Sequence, residues 1–224
     1  EDSDIICAHV SGGLEKYGLD FDSLHKVNPR LIYCSITGFG QTGPYKKRAG
    51  YDFLMQGMGG IMSVTGEAGG QPQKMGVTVT DILTGLYSVI AVEAALVQRE
   101  RSGKGQHIDM ALLDVATSTM ANQAMNYLTT GTPPGLMGNA HMNLTPYQVF
   151  DCNDGYIIIA TGNDGQYQRL CALLGLDDMA FDKDYLTNAD RLANRVAMTA
   201  RLDAATKGFS KDELLAACET NNVP

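Results

Sequence analysis

Asp81 has the strongest claim to chemistry in this chain of 224 residues. It closes the run Val77-Thr-Val-Thr80, after which Ile82, Leu83, Leu86, Val89, Ile90, Val92, Ala94, Leu96 and Val97 follow in one long apolar stretch. The alternation before Asp81 predicts a short β-like run. The residues after it predict a helix that is apolar nearly all round, of the kind buried in an α/β core. Gln98-Arg-Glu-Arg101 and Ser102-Gly103 predict its end. Asp81 then falls at or next to the N-cap, where backbone N–H groups and the helix dipole favour a carboxylate. Taken alone it reads as a cap. A carboxylate held ionised at such a place can also attack an activated carbonyl, with nearby N–H groups stabilising the oxyanion.

Other candidates cluster upstream. Tyr51-Asp52 sets a phenol beside a carboxylate, although a tyrosine here also reads as a half-buried aromatic with its hydroxyl satisfied. Lys46, Lys47, Arg48 and Lys16 could serve phosphates as fixed cations or simply face solvent. Lys104, in Ser-Gly-Lys-Gly-Gln, reads as the decoration of a turn. The four histidines show no paired-ligand spacing, so no metal is expected. The five cysteines are scattered without a CxxC pair, which points away from a disulfide framework and towards a reducing cytoplasm. Cys34 reads as a small core hydrophobe.

The elements that must position these residues follow from patterning. Ile5-Ile-Cys7, Leu31 to Ile36 and Gln106 to Ala111 predict strands, the second a continuous apolar run typical of a buried parallel strand. Residues 12–30 predict two short helices ending at Asn28-Pro29. Thr37-Gly-Phe-Gly-Gln-Thr-Gly-Pro44 is a glycine-rich loop at the carboxyl end of its strand, where open α/β sheets bind ligands, but it carries neither GxGxxG nor a P-loop. A helix is expected from Tyr51 to Gly59-Gly60, and a linker helix over 113–128. The breaker cluster Thr129–Pro134 suggests a boundary between a large domain (1–130) and a small α+β domain (138–224). In the latter, Tyr147–Asp151 and Tyr156–Ala160 flank Asn153-Asp-Gly155 as a hairpin. Helices are expected at about 164–175, 187–206 and 210–220, the last with Ser210 and Glu213 as a capping box.

Gly38-Phe-Gly-Gln-Thr-Gly-Pro-Tyr-Lys-Lys-Arg-Ala-Gly-Tyr-Asp-Phe53, the stretch from Met75 to Gln106, and the following His-Ile-Asp-Met-Ala-Leu-Leu-Asp114 occur in this order. In this the chain resembles the class III CoA-transferases, the formyl-CoA and carnitine-CoA transferase family, from about Gly12 to Pro224. The resemblance implies an α/β fold: a Rossmann-like open parallel sheet domain followed by part of a smaller α+β domain. It implies that CoA moves from an acyl-CoA thioester to a free carboxylic acid through aspartyl anhydride and aspartyl-CoA intermediates, with Asp81 as nucleophile. It further implies CoA contacts at Lys16, Arg48, Ala49, Gly50, Tyr51 and Asp52, and a homodimer of interlocked chains. Coenzyme A enters as a co-substrate, with no metal and no redox cofactor. Gly138-Asn139-Ala140 matches a glycine-rich loop of the family, but His141-Met-Asn-Leu144 replaces its glycines; His141 there could bind the carboxylate of a larger acid. The similar acyl-CoA racemases carry a histidine where Tyr51 stands. A phenol, ordinarily ionising near pH 10, is a poor acid/base partner for racemisation, so Tyr51 favours transfer. An inactive CoA-binding fragment is the reading from another class. Cys7-Ala-His-Val10 departs from the Asn-aromatic pair of the family.

Net charge of −8 with no Lys/Arg-rich run argues against a nucleic-acid partner. No apolar run approaches the roughly 20 residues expected of a bilayer span. The ends read as those of an internal fragment, starting in a strand and stopping at Asn221-Asn-Val-Pro224.

Overall fold

A computed structural model describes residues 3–9 and 12–224. Val10, part of the departure noted above, lies outside the described residues. The chain forms two compact units, Glu1–Leu136 and Met137–Pro224.

In the first unit the elements run β1 (Ile5–Ala8), α1 (Phe21–Val27), β2 (Ile32–Thr37), α2 (Asp52–Met58), α3 (Val79–Ser102), β3 (His107–Ala111), α4 (Leu112–Ser118) and α5 (Ala121–Thr130). The three strands are parallel in the order β1-β2-β3, with Cys7 opposite Cys34 and Cys34 opposite Ile108. Strand β2 is central and covered on both faces, which is why its sequence is apolar without alternation. Ile32 and Cys34 pack with Ala91, Val92, Ala95 and Leu96 of α3. Leu31 and Tyr33 turn the other way, onto Ala8, Leu14, Phe21 and Leu24. This is the α/β fold with a parallel sheet expected from the sequence.

Three features of this unit differ from the sequence reading. Val77 and Thr78 form no strand; Val79 already begins the helix. The stretch 113–128 is not one helix but α4 and α5, parted where Ala121 takes a φ of 38°. The third difference is the largest. Helix α3 buries Thr80, Thr84, Ser88, Ala95 and Arg99, while Ile82, Leu86, Val89, Ile90 and Val97 are exposed. A stripe of small hydroxyl residues can lie against the sheet because each is satisfied by its own helix. Thr84 Oγ1 donates to Thr80 O at 2.6 Å and Ser88 Oγ to Thr84 O at 2.7 Å. By length and composition α3 would also suffice to cross a bilayer, contrary to the reading of its apolar run above. Its end is as expected: Gly103, at φ 72°, donates its N–H to Arg99 O.

The second unit pairs β4 (Tyr147–Cys152) and β5 (Gly155–Ala160) as an antiparallel hairpin, with Cys152 opposite Gly155 across Asn153-Asp154. Five helices follow: α6 (Asp164–Leu173), α7 (Asp177–Ala180), α8 (Asn188–Ala193), α9 (Arg195–Thr206) and α10 (Lys211–Thr220). The helix read over 187–206 is thus broken at Asn194, whose amide donates to Asp184 O and Asp190 O. Ser210 and Glu213 form the expected capping box of α10. Phe150, Ile159, Tyr167, Leu170, Met198, Leu202 and Leu214 build the core. Arg191 is buried beside it: its guanidinium lies 4.5 Å from the Tyr167 ring centre, donates to Thr145 O and Tyr185 O, and pairs with Asp164 at 2.7 Å.

Candidate active site

The site is assembled by two glycines. Gly38 follows β2 and Gly50 precedes α2, and a Cβ on Gly38 would stand 2.6 Å from Gly50 Cα. No side chain fits between them, so the backbone of residues 49–51 lies directly on the carboxyl end of β2. Around this contact opens a cavity of about 610 Å³, lined by His9, Thr37, Gly38, Lys46, Lys47, Arg48, Ala49, Gly50, Tyr51, Asp81, Thr84 and Gly85, among others. Asp81, the third residue of the 24-residue α3, and Tyr51, the N-cap of α2, therefore share one wall space with the glycine-rich loop.

Tyr51 is 76% exposed, not the half-buried aromatic its sequence context allows. Arg48 lies over the Tyr45 ring with its guanidinium carbon 4.0 Å from the centroid, and it lines the cavity beside Lys46 and Lys47. Lys16 is elsewhere: it sits in a 3₁₀ turn, Glu15–Tyr17, over the Tyr17 ring, and does not line this cavity. Gly138, Asn139, Ala140 and His141 belong to the second unit. There His141 Nδ1 accepts the N–H groups of Asn143 and Leu144 and so shapes its own turn.

Asp52 is turned away from the cavity. Its carboxylate is buried; Oδ1 accepts the N–H of Thr80 at 2.9 Å and its hydroxyl at 2.5 Å, and Oδ2 accepts Gln56 Nε2 at 2.7 Å. Burial raises the Asp52 carboxyl, but hydrogen bonds from Thr80, Gln56 and the N–H of Asp81 outweigh it, and the net shift is downward. Asp81 moves the other way, raised first by partial desolvation and then by the charge of Asp52.

This changes the expected role of the helix start. Thr78 is the N-cap and makes no side-chain cap bond. The first-turn N–H groups are not free for an oxyanion: Val79 donates to Val77 O, Thr80 to Asp52 and Ile82 to Thr78 O. Asp52 caps α3 from another element, which leaves the Asp81 carboxylate exposed at the cavity and more basic than a free carboxylate. Gly85, expected from the sequence to flank the site, lines the cavity, whereas Gly76 does not. Sequence reasoning missed Gln56, His9 and Thr84; the last stands three residues after Asp81, a spacing that shares a helix face, so that signal was present.

A basic-walled cleft at the carboxyl ends of parallel strands, with a carboxylate at the head of a long helix, defines the class of α/β proteins that bind an anionic ligand beside an acidic group. Within that class the chain belongs to CoA-transferase family III, which it matches over residues 1–224. It is 58% identical over 212 residues to a succinate–glutarate CoA-transferase of Agrobacterium fabrum, covering 95% of this chain and 53% of that one. It is 41% identical over 196 residues to a succinyl-CoA:glutarate CoA-transferase of Mus musculus, covering 88% and 45%. A crystal structure of a CaiB/BaiF family protein from Brucella suis superposes with a TM-score of 0.84 at 57% identity, over all of this chain and 59% of the other. The chain spans about half the length of the two relatives.

Proposed function

We propose that the complete protein transfers CoA between carboxylic acids, with a short dicarboxylate such as succinate or glutarate on at least one side. The observation that carries this reading is the shared cavity: a raised, solvent-facing Asp81 carboxylate opposite Lys46, Lys47, Arg48 and Tyr51. The dicarboxylate class comes from the relatives above.

Asp81 attacks the thioester carbonyl of the donor; the C–S bond breaks and CoA leaves as thiolate, giving a mixed anhydride. The thiolate then attacks the aspartyl carbonyl, releasing the donor acid as carboxylate and leaving an aspartyl-CoA thioester. The acceptor carboxylate displaces CoA from that thioester to form a second anhydride. Attack by thiolate on the acceptor acyl carbon yields the new acyl-CoA and restores Asp81. Every leaving group is an anion, so no step requires a proton donor, and splitting the exchange lowers each barrier. Lys46, Lys47 and Arg48 suit the phosphates of CoA, and the Ala49-Gly50-Tyr51 backbone forms the wall beside its thiol end. Asp52 acts from behind this wall rather than on CoA itself. Lys16 and the Gly138–His141 loop serve, respectively, a remote part of CoA and the acceptor acid.

The exposed apolar face of α3, with Ile82, Leu86, Val89 and Ile90, fits a homodimer of the complete protein, because exposed apolar patches of this kind mark protein contacts. Isotope exchange tests the reaction: with the complete protein, label from free succinate or glutarate should enter acyl-CoA, with no solvent deuterium at Cα. Deuterium uptake without label transfer would mark a racemase instead.

A further inference from the structure

Gln56 is wholly buried on α2, one turn beyond Asp52, and is not among the residues lining the cavity. Its amide is spent on the segment that leads into α3. Oε1 accepts the N–H of Met75 at 2.8 Å; Nε2 donates to Asp52 Oδ2 at 2.7 Å and approaches Val77 O at 3.4 Å. That segment, from Gln71 to Thr78, has no helix or strand of its own. Segments of this kind open easily unless side chains hold them. The other oxygen of Asp52 holds Thr80, immediately before Asp81.

We propose that Gln56 is a positioning residue for the reaction: it aims the Asp52 carboxylate at Thr80 and ties Met75 and Val77 in place, and so fixes where Asp81 points. Only a group that donates and accepts at once can do both. The amide gives a hydrogen to a carboxylate with one end and takes one from a backbone N–H with the other. Gln56→Glu keeps the shape but sets one carboxylate against another in a buried place. Gln56→Met leaves the Met75 N–H and one Asp52 oxygen unpaired. The pairing also has a partial mirror solution. With Asp52→Asn and Gln56→Glu together, the introduced amide donates to the introduced carboxylate, whose second oxygen still accepts from Met75. The amide oxygen still accepts from Thr80, and only the long contact to Val77 O is lost.

This inference rests on the reading of Asp81 as nucleophile, and the experiment keeps the two apart. In the complete protein, kcat, donor KM, thermal melting and the pH profile are compared for wild type, Gln56→Glu, Asp52→Asn and the double variant. Borohydride trapping on wild-type Asp81 is the control for the reading itself. Each single variant is expected to lose about 30-fold or more in kcat with donor KM within about threefold, because the lost contact does not touch CoA. The double variant is expected to regain most of the melting temperature lost by either single variant and to recover kcat to within about fivefold. Removing the Asp52 charge in Asp52→Asn should shift the acid limb of the pH profile downward, since that charge helps to raise the Asp81 carboxyl, against the unchanged surroundings of His9, Lys46, Lys47, Arg48 and Tyr51. A structural role alone would restore melting without kcat. That result, a wild-type kcat in Gln56→Glu, or a double variant that stays unstable would each overturn the positioning role. Absence of the wild-type adduct would instead overturn the reading beneath it.

Discussion

Asp81 and Asp52 titrate in opposite directions from neighbouring positions, and the signs give distinct stability behaviour. The Asp81 carboxyl is raised in the fold. The native state therefore binds the extra proton between the unfolded value, about 3.9, and the higher folded one, so ionising Asp81 lowers stability as pH rises through that window. Asp81→Asn should then melt at or above the wild-type temperature at pH 7 while turnover vanishes. Asp52 is lowered, so its contribution is present above about 3.9 and is lost as pH falls through its folded value. Asp52→Asn should cost about 1–3 kcal/mol at pH 7 by denaturant titration, and the gap to wild type should close in acid. A wild-type-like Asp52→Asn at pH 7 would contradict the network. The sequence shows Asp81 near a helix start and offers capping as its plain role. It could not show that a carboxylate 28 residues away does the capping, because the bond between Asp52 and Thr80 is made only by the fold.

Among the elements, glycine positions separate structure from site. Gly38 and Gly50 meet backbone to backbone, and a Cβ at Gly50 would stand 2.5 Å from Met55 Cε. Gly38→Ala or Gly50→Ala should cost about 1–3 kcal/mol and weaken CoA binding, as overpacking drives the wall off β2. Gly85 has nothing within 4 Å of its missing Cβ and lines the cavity within α3. Gly85→Ala should raise stability by up to about 1 kcal/mol and impair turnover, by filling space that substrate uses. Equal effects of the substitutions on melting would refute this division. Strand β2 was legible because a strand buried on both faces reads as one apolar run. The buried face of α3 was not: hydropathy counts apolar residues but cannot tell which stripe meets the sheet, and hydroxyls bonded to their own helix cost little to bury.

At the scale of the whole molecule, the unpaired apolar surface is the feature that one copy of the chain leaves open. Ile82, Leu86, Val89 and Ile90 of α3 stand more than half exposed, with Phe53 of α2 similarly bare. If this face is covered in a homodimer of the complete protein, Ile90→Glu or Leu86→Lys should shift sedimentation from dimer towards monomer or aggregate, whereas Val196→Glu, at a still more exposed position on α9, should not. The Agrobacterium fabrum relative is about twice as long as this chain. The same complete protein is the one in which to trap the intermediate. Mixed with succinyl-CoA and borohydride, then digested and weighed by mass spectrometry, it should carry a reduced side chain on the peptide containing Asp81, and Asp81→Asn should carry none. An adduct that maps to Asp52 or Asp109, or substantial turnover by Asp81→Asn, would contradict the account at its centre.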